Sequence, residues 1–288
     1  MGATAEDISS LNEDSYLTTG LRAFTFWITE TLYAIDISKV LTISQDLDNI
    51  QNIPTKAKGL LGMTEFQGHA IPVIDFANLL DLKSGTEASH ELIQLFTDKE
   101  NEHHDWLNAL EKSIVDGSPF TKAKDPHQCA FGKWYNQFET RDESLEIIMK
   151  DFDEPHRRIH ALADKLLSMK VDGQTKEALK ILSLERDITM KRLSRHFAHA
   201  KEQVSDSSRQ VLLYITEDGF TPTIALRIDE IHDVIDFKPE QFKPMTTLKA
   251  IFQGDESKLI TNYMKLDKTS DCLLINASKI HEVVKEFV

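Results

Sequence analysis

His156 and His160 stand four residues apart, so on a helix their imidazoles leave one face a turn from each other and can grip a single ion. Alone, such a pair is ordinary polar surface. It gains meaning from two other residues: His103, on the apolar stripe of an earlier helical pattern, and Cys129, which opens the run Cys129-Ala130-Phe131-Gly132-Lys133-Trp134. Three imidazoles and a thiolate form a complete tetrahedral set for Zn²⁺, whose borderline softness suits mixed nitrogen and sulfur donors.

Neighbouring residues compete for these roles. His104 adjoins His103 but projects about 100° away around a helix, toward solvent. His127 lies two residues before Cys129 and reads as a surface loop residue, while His196 and His199 form an i, i+3 pair among Arg192 and Arg195 on what reads as an exposed face. Trp106, Phe131 and Trp134 are core aromatics that wall the ligands from water. Cys272, in an apolar β run, reads as an inert core residue.

These residues need elements to hold them. Between residues 86 and 207 the apolar period is close to three and a half: Leu92, Leu95 or Phe96, His103, Trp106 or Leu107, Leu110 and Ile114 share one stripe. Asp116-Gly117-Ser118-Pro119 ends that helix, a loop leads through Cys129 to Trp134, and helical patterns follow near 142–171 and 174–204, divided by Asp172-Gly173. The pattern predicts a four-helix bundle with one short helix. The flanks have β texture. Phe24, Phe26 and Ile28 alternate with Ala23, Thr25 and Trp27, a turn and a second strand follow, and Ala70 to Phe76 is a short apolar run in which Pro72 argues for an edge or strand-end position.

The two flanks also resemble each other. Ile28-Thr29-Glu30 is matched by Ile215-Thr216-Glu217, and Ile37, Val40, Ile43 and Pro54 by Ile228, Ile231, Val234 and Pro244. They read as halves of one pseudo-duplicated β domain interrupted by the helical segment. The expected divisions are a flexible leader at 1–16, a first β half at 17–85, a helical domain at 86–207 and a second β half at 208–288.

Composition narrows the function classes. The net charge of −14 repels phosphate backbones, 41% hydrophobic residues suffice for real cores, and no apolar run reaches the roughly 20 residues of a membrane helix. Nucleic-acid binding and membrane insertion are therefore not expected. Two cysteines far apart in sequence, behind a polar acidic start, imply a reducing cytoplasmic setting. The flanks hold no P-loop, G-x-S-x-G or dinucleotide fingerprint.

His103-x-x-Trp106, Cys129-x-Phe131-Gly132-x-Trp134 and His156-x-x-x-His160 resemble, in order and in spacing, the signature of the chemoreceptor zinc-binding domain, CZB. That resemblance implies zinc on His103, Cys129, His156 and His160, in a helical bundle that senses metal or oxidants. The flanks resemble the CheW domain, a chemotaxis coupling fold of two small β-barrel subdomains, through Phe24 to Ile43, Gly59-Leu60-Leu61-Gly62, Gly68 to Phe76 and Ala225 to Phe237. It implies an α+β protein in which a CheW-like domain is interrupted by an inserted zinc-binding bundle. The partners implied are a CheA-type histidine kinase or a chemoreceptor complex, and a homodimer through the helical domain is compatible with it. Two positions depart from the family: Gln67 stands where Arg is usual, before Gly68, and Thr42 where Glu is frequent. Thr42, Gln67 and Gly68 are the expected docking positions.

The expected function is a non-enzymatic cytosolic adaptor. Zinc would hold Cys129 as thiolate, the form that oxidants attack, so Cys129 is the expected redox-sensing residue. A zinc-dependent hydrolase is an alternative, but Cys129 fills the open position it would need, and Arg157 stands where H-E-x-x-H enzymes carry Glu. A hemerythrin-like iron protein is a second alternative, distinguished by its colour.

Overall fold

The computed structural model describes residues 15–45, 47–54, 57–244, 256–266 and 271–285. The chain divides into two compact units, one formed by residues 1–88 with 208–288 and the other by residues 89–207. The fold is mixed α+β. Among the described residues no helix is long and apolar enough to cross a membrane.

The first segment comprises α1 (Tyr16–Thr19), β1 (Leu21–Ile28), β2 (Thr31–Asp36), β3 (Val40–Ser44), β4 (Gln51–Asn52), β5 (Leu60–Phe66), β6 (His69–Asp75) and α2 (Phe76–Leu79). The helices that follow are α3 (Gly85–Asp116), α4 (Ala130–Tyr135), α5 (Glu143–Lys150), α6 (Asp153–Val171), α7 (Thr175–Glu185) and α8 (Lys191–Ser207), with a π turn at Arg186–Met190 between the last two. The last segment holds β7 (Val211–Thr216), β8 (Pro222–Ile228), β9 (Glu230–Phe237), β10 (Phe242–Pro244), α9 (Glu256–Leu259), β11 (Ile260–Met264), β12 (Cys272–Ile275) and α10 (Ala277–Lys285).

The β unit contains two six-stranded sheets, ordered β10-β11-β12-β2-β1-β9 and β3-β7-β8-β6-β5-β4. Each draws strands from both sequence segments. The β1–β2 hairpin is flanked by β9 and, in parallel, by β12, while the β7–β8 hairpin is flanked by β3 and, in parallel, by β6. The orders therefore superpose element for element, with β3 in the place of β9. The sequence match of Val40 and Ile43 to Ile231 and Val234 aligns these same two strands. Where the resemblance implies two small barrels, the described strands form two sheets that end on β9 and β10, and on β3 and β4.

Side-chain alternation explains how β1 is buried almost throughout. Phe24, Phe26 and Ile28 enter one core with Ile74, Phe76, Leu213 and Leu226, whereas Leu21, Ala23 and Trp27 enter another with Leu32, Phe237 and Cys272. Pro72 departs from expectation, because β6 lies inside its sheet. Its parallel ladder with β8 begins only at Val73, so the missing N–H falls just outside that ladder. The expected leader ends early as well: Tyr16 stacks on Phe242 and its hydroxyl donates to Asp36, while residues 1–14 lie outside the described ones.

In the helical unit the stripe on α3 buries Phe96, His103, Trp106, Leu107, Leu110 and Ile114. The helix ends at Gly117. The pattern expected as one helix over 142–171 is two, α5 and α6. Pro155 has no N–H for the carbonyl of Asp151, and its ring would clash with that carbonyl, so the ladder breaks at Asp151-Phe152.

Phe26 is fully buried and packs against Tyr33 and Phe76. Phe26→Ala is expected to destabilise the β unit by about 3–5 kcal/mol. Chemical denaturation followed by far-UV circular dichroism checks this.

Candidate metal centre

Four residues from three elements converge in the helical unit. The ligand-type atoms of His103 (α3), Cys129 (the N-cap of α4), His156 and His160 (both α6) lie within 4.8 Å of one another. The three histidines are buried and Cys129 is half-buried. The choice between His103 and His104 follows from helix geometry: His103 faces inward and His104 is exposed, near Ser194.

Backbone carbonyls fix the tautomers. His103 Nδ1 lies 2.6 Å from the Lys99 carbonyl and His160 Nδ1 lies 3.1 Å from that of Ala123. A carbonyl only accepts, so each Nδ1 carries the proton and each Nε2 presents a lone pair. Both Nε2 atoms are buried with no hydrogen-bond partner. Orphaned buried acceptors are rare because each forfeits its hydration, and a cation removes that cost. The third imidazole points the same way, with His156 Nε2 3.2 Å from Cys129 Sγ. These donors fit a zinc ion, with the carbonyls of Lys99 and Ala123 as its outer support.

Electrostatics agree with a cation-binding role. Burial holds the His103 pKa below its ordinary value. Burial, followed by the neighbouring imidazoles, pushes His156 down to about 2, and burial with His103 beside it pushes His160 down to about 4. Neutral imidazoles are the form a metal binds. Burial raises the Cys129 thiol pKa, against the lowering effect of the Gly132 and Phe131 amides. A bound cation would favour the thiolate.

The Cys129 turn depends on a missing side chain. The Gly132 amide donates to Sγ at 3.1 Å, and a Cβ at Gly132 would stand 1.9 Å from the Pro126 carbonyl oxygen. Only glycine lets the Pro126–Gln128 turn lie against α4. Trp106 Nε1 donates to the Ala123 carbonyl at 2.7 Å, the same oxygen that holds His160. Phe131 meets His103 and His156 edge to face. A cleft of 340 Å³ opens beside the cluster, lined by Glu102, His103, Trp106, Lys122, Cys129 and His160.

Sequence reasoning missed several supports. Phe152 and Phe197 close the aromatic wall with Phe131. On the far side of α6, Arg158 grips Glu185 with two hydrogen bonds of 2.9 and 2.7 Å, and Thr189 of the π turn also donates to Glu185. The Arg158 contact holds the Glu185 carboxyl below its usual range. Arg157 is exposed and paired with Asp153. His127 is exposed, His196 packs on Phe152 and His199 is exposed. Among the described residues, only the four-residue cluster gathers three or more metal-ligating side chains.

The positions expected to dock a partner lie in the β unit. Thr42 lines a hollow of 630 Å³ with Gln51, Thr64, Phe66 and Tyr214, and Gln67-Gly68 form the adjoining β5–β6 turn with both φ positive. Cys272 is buried in its strand, with its pKa raised by desolvation.

Comparison with known proteins gives a family match to part of each unit. Residues 22–102 match the CheW-like domain and residues 103–167 match the chemoreceptor zinc-binding domain. The chain carries a CheW-like domain and a CZB domain, and the second match contains all four residues of the cluster. Together these domains support a chemotaxis-type signalling adaptor. Among solved structures, the scaffolding protein TtCheW from Thermoanaerobacter tengcongensis is similar at 12% identity, over 89% of each chain, with a TM-score of 0.40. No curated protein matches the chain.

Gly132→Ala is expected to weaken metal binding by about 10–100-fold, the range seen when a ligand's support is lost. Competition against a chromogenic chelator measures it. In the metal-free protein, the stability that depends on neutral His103, His156 and His160 is fully present above about pH 6.5, the unfolded value. It is lost as pH falls toward the depressed folded values, because the unfolded chain binds protons first. The denaturant midpoint of the helical unit should therefore fall between pH 7 and pH 5.

Proposed function

We propose that this protein is a chemotaxis-type adaptor in which a zinc-binding four-helix bundle, inserted in a CheW-like domain, modulates docking to a CheA-type histidine kinase or chemoreceptor complex. The observation that carries the reading is the pair of buried, unpartnered Nε2 atoms of His103 and His160, facing Cys129 and His156. Zinc on these four groups has no open coordination position, which favours sensing or stapling over hydrolysis. The docking surface includes Thr42, Gln67 and Gly68.

Cys129 supplies the switch. Bound to zinc it is a thiolate, and it lines the 340 Å³ cleft through which a small oxidant reaches it. Its sulfur attacks a peroxide oxygen, the O–O bond breaks, and the products are a sulfenic acid and hydroxide. Sulfenic acid is a poorer donor, so zinc affinity falls, His156 and His160 lose their tie to α3, and docking changes.

Elemental analysis should find one zinc per chain, strongly reduced in Cys129→Ala and His160→Ala. One equivalent of hydrogen peroxide should release zinc to a chromogenic chelator and alter capture of the kinase in a pull-down. Release without any change in capture would reduce the ion to a staple. Zinc retained at the wild-type level after replacement of all four ligands would overturn the site.

A further inference from the structure

Asp229, at the β8–β9 corner, reads from the sequence as part of a solvated turn, yet its carboxylate gathers three segments of the β unit. Its Oδ2 accepts the Thr29 amide of the β1–β2 turn at 2.9 Å. Its Oδ1 accepts the Gly85 amide and the Gln210 side-chain amide, each at 2.9 Å. Gly85 is the first residue of α3, the helix that carries His103, and Gln210 follows the end of α8. One carboxylate therefore fastens the place where the chain leaves the β unit and the place where it returns.

Three further observations make this a built joint. A Cβ on Gly85 would stand 2.6 Å from the Asp229 carboxyl carbon, so a side chain there would push the carboxylate off the Gly85 amide. The start of α3 is fixed beside it by reciprocal bonds between Ser84 and Glu87, each 3.2 Å, so a shift of the helix displaces the Gly85 amide as a unit. Thr29 has a φ of +48°, a strained conformation for a β-branched residue, and Asp229 receives its amide. The internal duplication supplies a control. In the matching β7–β8 turn the local Asp218 accepts from Phe220, Thr221 and Thr216, so that turn closes on itself.

We propose that the Asp229 carboxylate is the joint that couples the metal state of the helical unit to the β1–β2 turn. The inference rests on the switch reading above. α3 carries the metal's pull from His103 to Gly85, Asp229 shares its acceptor atoms between Gly85, Gln210 and Thr29, and a shift of the first two loosens the third.

Amide hydrogen exchange on the full chain tests this, with zinc and with a strong chelator, in wild type, Asp229→Asn and Gly85→Ala. In wild type, chelation should speed exchange of the Thr29 amide by about tenfold. In both variants the turn should exchange at the fast rate with or without zinc, while zinc content stays at the wild-type level. Gly85→Ala leaves every charge in place and carries the test alone if Asp229→Asn does not fold. A wild-type response that persists in the variants overturns the joint and leaves the switch standing. Loss of zinc from the variants also overturns it, making Asp229 a support of the metal centre. No wild-type response in the β unit overturns both joint and switch, leaving zinc as a staple.

Discussion

A buried imidazole nitrogen that keeps its lone pair and meets no donor must be offset by something, and the helical unit is organised around two such atoms. The Lys99 carbonyl orients His103 and the Ala123 carbonyl orients His160, each by taking the Nδ1 proton. Ala123 is held by Trp106 in turn, and the Cys129 turn by the close approach of Pro126 to Gly132. Opposite the ligands, Arg158 ties α6 to Glu185 of α7. Four separated stretches of sequence thus serve one small volume.

How much of this was legible in the residues depends on whether side chains or backbone carried it. The four-residue cluster could be anticipated, because an i, i+4 histidine pair that is ordinary polar surface alone gained company from His103 and Cys129 and from the family resemblance. His103 was separable from His104 by the apolar stripe together with the family resemblance. The carbonyls of Lys99 and Ala123 could not be read, since a backbone acceptor carries no signature of residue type. Pro155 was a visible signal for the break between α5 and α6, whereas the π turn at Arg186–Met190 left none. Pro72 misled because a strand can lie inside a sheet and still begin one of its ladders partway along, here at Val73. Asp229 misled because its three partners lie far from it in sequence.

The duplication visible in the sequence has a further consequence in the structure. Neither β segment completes a sheet, since β1–β2 pairs with β9 and β12 while β7–β8 pairs with β3 and β6. Both sheets must therefore close across the helical segment. If that segment were unfolded, bringing its ends together would cost conformational entropy that grows with the logarithm of its length, about 0.6 kcal/mol per doubling, on top of a constant. The Asp229 carboxylate offsets part of this cost, because the residues that leave and return both bond to its Oδ1. A helical unit folded with its ends close together shortens the loop that the sheets must close. Any ligand that stabilises the helical unit then also favours pairing of the sheets. A metal held by His103, Cys129, His156 and His160, as proposed above, would be such a ligand, so one ion would act on the β unit through the topology of the chain.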